Sequence, residues 1–239
     1  MTHREIEYRM AMQAIVDVTL GEPVAYEALV RGAAGESAGA VFGRVPEAAK
    51  RQFDRACQWA AVQEFARSGQ SGSLTVNVLP SSVEGYQGPL AAEFIQSALA
   101  CGFPLHRLVV EISESEAVQD WMALKETLET WQSLGILIAY DDFCAGYSGL
   151  TFLQAFRPDI LKIDMAVTRG LDQDAQKRTV VQSLVGLCRG MEIAIVAEGI
   201  ETLGESQALA ELGVRLQQGY FLQRPRVDSE QGLVFRETY

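Results

Sequence analysis

From Leu74 onward the chain repeats one cadence: a short apolar run, a polar or glycine-bearing break, then apolar residues at helical spacing. Leu74–Leu79, Arg107–Ile112, Ile136–Asp141, Ile160–Asp164, Glu192–Ala197 and Arg215–Tyr220 read as strands buried on both faces. Between them, Pro89–Ala100, Glu116–Leu134, Gly149–Phe156, Asp174–Arg189 and Leu203–Leu212 read as helices, stopped near Gly102, Gly135, Pro158, Gly190 and Gly213. The opening is different. Tyr8–Asp17 and Val24–Arg31 are strand-like and joined across Leu20-Gly21-Glu22-Pro23, which predicts an antiparallel hairpin. Ala33–Gly43 is small and glycine-rich and reads as a loop. A helix follows from Pro46, with Phe53, Ala56, Cys57, Ala60, Ala61, Glu64 and Phe65 at helical spacing and Gly69 closing it.

Repeated strand–helix units with short connections imply a parallel sheet with right-handed crossovers and helices outside. With the opening pair there are about eight strands, the number that closes a (β/α)₈ barrel in ~250 residues. An open doubly wound sheet is the competitor, but no GxGxxG or GxxxxGK[ST] run supports a nucleotide-binding open sheet. The prediction is an α/β chain folded as a TIM-type barrel, without a linker after residue 45.

Composition narrows the chemistry. The 239 residues are 48% hydrophobic and 21% charged, ordinary for a soluble globular protein, and no apolar run approaches the ~18 residues of a membrane span. Cys57, Cys101, Cys144 and Cys188 are widely spaced without a CxxC, which fits reduced thiols in the cytoplasm. With only His3 and His106, a histidine-rich metal site or a histidine triad is nearly excluded. A net charge of −11 and a pI near 4.7 argue against a DNA duplex as partner, though a local cation can still receive a small anion.

The strand ends carry the signal. In a parallel barrel all strand C-termini converge on one face, where active sites lie. This chain delivers Glu27, Asn77, Glu111, Asp141, Asp142, Lys162, Asp164, Glu198 and Gln218 there. Any one of them alone is a cap, a turn residue or half of a structural ion pair. Together on one rim they ask for a cation. An oxygen-rich set without His or Cys selects Mg²⁺ or Mn²⁺, and so many carboxylates suit a pair of ions roughly 3.5–4 Å apart, as in two-metal hydrolysis of phosphate esters. Lys162, the one cation in this ring, suits a water or a phosphate oxygen.

These residues carry a resemblance. Glu27-Ala28-Leu29 followed by Arg31 is similar to the signature of the EAL-domain cyclic di-GMP phosphodiesterases. So are TVN (75–77), VVEISES (109–115), AYDDFCAGYSGL (139–150), DILKID (159–164), VAEGIET (196–202) and QGYFLQRP (218–225). They stand in that family's order and spacing over essentially the whole chain. The resemblance implies one EAL domain over residues 1–239, a modified barrel with an antiparallel first strand, and hydrolysis of cyclic di-GMP to linear pGpG. It implies that Glu27, Asn77, Glu111 and Asp141 ligate one metal, and that Asp141, Asp142, Asp164 and Glu198 surround a second. Lys162 resembles the lysine that positions the attacking water, and Gln218 the glutamine near the metal-site water. Arg31 resembles the arginine contacting a substrate phosphate, and Gln13 stands where the family has a glutamine that helps bind a guanine. Glu114 resembles the glutamate anchoring the loop after Asp142, and Glu201 matches the second glutamate of AEGxE. A metal-activated water then attacks phosphorus in line and the 3′-alkoxide leaves.

Two departures stand out: Cys144 where the family's loop has Gly, and Ala14 where it has Pro in QPIVD. The resemblance further implies a homodimer with this loop near the contact, and control is expected through oligomerisation, a regulatory partner protein or a fused segment. Two other classes compete. One is an EAL module that binds cyclic di-GMP or a protein without catalysis; degenerate modules lack part of the acidic set, which is intact here. The other, a sugar-phosphate barrel enzyme, leaves the EAL, DDF and KID motifs unexplained together.

Overall fold

The computed structural model describes residues 5–83, 92–113, 120–145, 149–227 and 232–236. Nine strands form one sheet: β1 Glu5–Asp17, β2 Glu22–Gly32, β3 Ser73–Asn77, β4 Leu108–Ser113, β5 Leu137–Phe143, β6 Ile160–Ile163, β7 Ala194–Ala197, β8 Leu216–Gln217 and β9 Leu233–Arg236. From β2 to β8 the strands pair in sequence order and in parallel. β1 closes the ring, antiparallel to β2 through Tyr8↔Gly32 to Asp17↔Glu22 and antiparallel to β8 at Val16↔Gln217. The barrel is thus closed, eight-stranded and mixed, with the antiparallel first strand that the resemblance implies. β9 lies outside the ring and covers the first four residues of β1, from Glu5↔Arg236 to Tyr8↔Leu233.

Among the described residues the α-helices are α1 Ala38–Phe42, α2 Lys50–Ser68, α3 Pro80–Val83, α4 Glu93–Cys101, α5 Trp121–Ser133, α6 Gly149–Ala155, α7 Met165–Thr168, α8 Ala175–Met191 and α9 Leu203–Glu211. Strand alternation divides the apolar residues between two layers. Tyr8, Met10 and Met12 of β1 face outward into the main core, with Phe53 and Phe65 of α2, Phe94 of α4 and Trp131 of α5. Ile15, Ala25 and Val196 face inward and pack together as a small second core, with Val24, Ile160 and Leu216 against them. Burial of this kind, worth about 1.5–3 kcal/mol per large side chain, is the main favourable term for both layers.

The structure corrects several boundaries. Ala33–Gly43, expected as a loop, contains α1, because Ser37 accepts a hydrogen bond from Ala40 N and caps it. The helix expected to stop at Gly190 runs on to Met191 and ends on Glu192, which takes the left-handed conformation itself at φ +57°. The last strand shrinks from Arg215–Tyr220 to two residues, since β1 pairs with β8 only at its own C-terminal end. β9 and α3 were not expected. β9 is held by more than its ladder: Phe235 meets Phe53 edge-on at 5.1 Å. Residues 89–91 and 116–119, the starts of two expected helices, lie outside the described residues. No described helix is long and apolar enough to cross a membrane.

Candidate active site at the strand C-termini

Each strand turns from apolar to polar within one pleat. Two residues beyond inward-facing Ala25, Ile160, Val196 and Leu216 come Glu27, Lys162, Glu198 and Gln218. The parallel registers Asn77↔Glu111 and Lys162↔Val196 bring these ends level.

Lys162 is the hub. Its side chain is 1% exposed, and Nζ lies 2.6 Å from Glu198 Oε1, 2.9 Å from Glu111 Oε1, 3.0 Å from Asp141 Oδ1 and 3.6 Å from Glu27 Oε2. Burial alone would lower the Lys162 pKa, but Asp141, Glu111, Glu198 and Glu27 outweigh it and hold the ammonium well above its usual range. Amides complete the ring. Asn77 Nδ2 donates to Glu27 Oε1 at 3.0 Å, and Gln218 Nε2 donates to Glu27 Oε2 at 2.7 Å and to Gln13 Oε1 at 3.3 Å. Gln13 Nε2 in turn donates to the Gln223 carbonyl at 3.0 Å.

One cation does not neutralise this set. Burial raises the Glu111 and Asp141 carboxyls above their ordinary values, against the pull of Lys162 and with repulsion from Glu27. Burial likewise pushes Glu198 up to about 8. Glu27 alone ends below its ordinary value: burial raises it, but Lys162, Asn77 and Gln218 together outweigh that. No hydrogen-bond donor reaches the buried Glu111 Oε2 or meets the buried Gln218 Oε1. Oxygens of Asp141, Asp142 and Glu198 lie within 4.8 Å of one another. Buried oxygens without donors and carboxyls pushed above their ordinary range are the signature of missing positive charge, so a hard divalent cation fits the set.

The surrounding cavity, about 330 Å³, is lined among others by Gln13, Glu27, Asp141, Asp142, Asp164, Glu198, Glu201 and Gln218. A larger groove of about 770 Å³ runs along the outside of α2 and holds none of the predicted residues, so volume does not mark the site. The walls are set by short-range backbone devices. Asp164 Oδ1 accepts from Ala166 N at 2.8 Å and caps α7. Ser113 Oγ donates to Asp142 Oδ2 at 3.1 Å. Gly219 is required because a Cβ there would overlap the Ile200 backbone. Asp142 and Cys144 both take left-handed conformations, at φ +56° and +79°, so the cysteine stands where a glycine would be unstrained.

The other expected residues divide. Glu201 is in the wall, paired with Arg169 at 2.8 Å. Arg31 is not among the cavity-lining residues, and its Nη1 donates to the Val30 carbonyl at 2.8 Å. Glu114 lies outside the described residues. Sequence reasoning missed Arg169, Met165 and Tyr220 in the lining. It also missed Glu205, whose buried carboxylate accepts from the Gly170, Glu201 and Thr202 amides at 2.8–3.1 Å and ties two rim loops together. The Thr202-to-Glu205 capping box was a readable signal for it; for Arg169 there was none.

A model of the EAL domain family matches residues 2–225. Among solved structures, a standalone versatile EAL protein from Vibrio cholerae O395, in its c-di-GMP-bound form, is 34% identical. It covers 94% of both chains with a TM-score of 0.87. Klebsiella pneumoniae BlrP1, in a manganese/cy-diGMP complex, is 29% identical, with a TM-score of 0.84 over 100% of this chain and 62% of that one. The probable cyclic di-GMP phosphodiesterase PdeD of Escherichia coli K12 is 33% identical over 150 residues, 63% of this chain and 27% of that protein. The chain spans a third or less of the length of the first curated relatives it matches.

Proposed function

The chain belongs to the EAL domain family, and from that premise we propose that it hydrolyses cyclic di-GMP to linear pGpG as a single EAL domain. The carrying observation is the ring of four carboxylates closed on Lys162 at the strand C-termini, short of positive charge. The manganese and c-di-GMP complexes of similar proteins support the reading.

In this reading Asp141, Asp142 and Glu198, with Glu27, Asn77, Glu111 and Asp164, would hold a pair of Mg²⁺ or Mn²⁺ ions. When bound, these ions supply Lewis-acid neutralisation of the phosphodiester and a more acidic water. Lys162 keeps a fixed, desolvated positive charge beside the attacked phosphorus and orients the incoming water. Gln218 pins Glu27 and Gln13 in one arrangement, so both sides of the cavity are set before substrate arrives. Gln13 contributes to the seat of a guanine. Arg31 swings from the Val30 carbonyl onto a phosphate, exchanging a neutral acceptor for a charged one. Glu201 and Arg169 brace the opposite wall.

Purified protein incubated with cyclic di-GMP and Mg²⁺ or Mn²⁺ is expected to produce pGpG, and to produce none with EDTA. Saturable nucleotide binding without turnover in either metal would replace the enzyme with a binding module.

A further inference from the structure

β1 and β2, with 13 and 11 residues, are much longer than the parallel strands, of which β5 is the longest at seven. The hairpin therefore overhangs the mouth of the barrel. Its register is unbroken from Gln13↔Glu27 through Ala11↔Leu29 to Arg9↔Arg31. Side chains two apart share a face, so Arg9 and Arg31 stand on the cavity side, roughly 13 Å along the strands from Glu27 and Gln13. Tyr8 and Met10 point the other way, into the outer core.

Two arginines directly opposite each other on one face of an antiparallel pair repel. Among the described residues no carboxylate lies within 4.0 Å of either guanidinium, although Glu7 is on the same face two residues from Arg9. Arg31 satisfies one nitrogen on the adjacent Val30 carbonyl, and Arg9 Nε is buried without an acceptor. In a chain of net charge −11, two guanidiniums paired across one face, one with a nitrogen that lacks an acceptor, form a local positive pair that an anion would relieve.

We propose that Arg9 joins Arg31 as a clamp for the second, uncleaved phosphodiester of the cyclic dinucleotide. The inference rests on the substrate reading above. A substrate with two phosphates places one over the carboxylate ring, where cations balance it. The other lies farther out beside an acidic rim and needs a counter-charge of its own. The overhanging hairpin supplies that charge at the required side of the cavity, and Arg9 and Arg31 together present more donors than one phosphate can use.

Arg9→Met tests this with bound metal. KM for cyclic di-GMP should rise roughly tenfold to a hundredfold while kcat stays within about twofold. Cleavage of bis(p-nitrophenyl) phosphate, which has one phosphate, should not change, and Arg9→Lys should recover part of the loss. Without ligand, the unfolding midpoint of Arg9→Met should equal or exceed that of the parent, since a repulsion is removed. An unchanged KM, or an equal loss on the one-phosphate substrate, would overturn the clamp while leaving the phosphodiesterase intact. If the parent cleaves neither substrate, the activity reading fails, and calorimetric binding of cyclic di-GMP to parent and Arg9→Met decides the clamp alone: equal affinities reject it.

Discussion

The floor and the mouth of this barrel are one pleat apart and chemically opposite. At the floor, Ile15, Ala25 and Val196 exclude water and carry no charge. Two residues farther along the same strands, Gln13, Glu27 and Glu198 join a ring whose only described cation is Lys162. The backbone does not distinguish the two levels, since the same ladders run through both. The floor therefore fixes where the ring atoms stand, and the ring spends part of that stability on holding carboxyls in an unfavourable place. Stability and chemistry occupy adjacent layers of one set of strands.

Substitutions can separate the layers. The largest effect is expected from Glu27→Ala, which removes a carboxylate touched by Lys162, Asn77 and Gln218. It should abolish detectable pGpG production while the protein stays folded by circular dichroism; retention of most activity would remove Glu27 from the metal set. Next comes the floor. Ile15→Ala, at a 4% exposed position, should cost roughly 2–5 kcal/mol in urea unfolding. Its kcat should change little below the melting transition, and a collapse of kcat at full folding would mean that the layers are not separable.

The pH response should also differ between levels. Glu198 ionises near 4.5 when unfolded and near 8 in the metal-free fold, so the folded chain binds more protons between those values. Metal-free stability should then fall as pH rises from about 4.5 to about 8. Mn²⁺ must displace that proton, so its affinity should climb over the same window and level off above it. Titration calorimetry in buffers of different ionisation enthalpy reads the proton release, and a pH-independent affinity with no release would contradict the assignment. The smallest effect is reserved for the loop. Cys144→Gly relieves a left-handed residue at φ +79° and should stabilise by about 1 kcal/mol with the metal affinity unaltered. A destabilised variant would show that the thiol makes a contact worth more than the strain.

Much of this was legible in the sequence for a physical reason. Apolar runs ending in carboxylates report burial and delivery at once, so Glu27, Glu111, Asp141, Lys162 and Glu198 announce both the strands and the rim. The closed ring followed from the number of such runs, and the hairpin from Gly21 and Pro23. What stayed hidden depends on long-range pairing. β9 is four residues without alternation strong enough to read, and it exists because β1 offers a free edge and Phe53 an aromatic seat. Arg169 is a lone charge in a loop until Glu201 is placed beside it. The helix carrying Gly190 runs through it because the residue after Met191 tolerates the turn instead. That Lys162 meets four carboxylates rather than one is a property of closure, visible in no single segment.

Closure also sets a schedule. β1 is made before the other strands, yet its ladder partners outside the hairpin are Leu216, Gln217 and Leu233–Arg236, some two hundred residues later. During synthesis its outward edge waits, unpaired, for some two hundred residues, and the loop closed by Val16↔Gln217 is among the costliest contacts to form. An extended strand with an open edge is an adhesive surface for other nascent copies. Glu5 and Glu7 at its exposed start are charges that discourage such pairing until the seam is sewn.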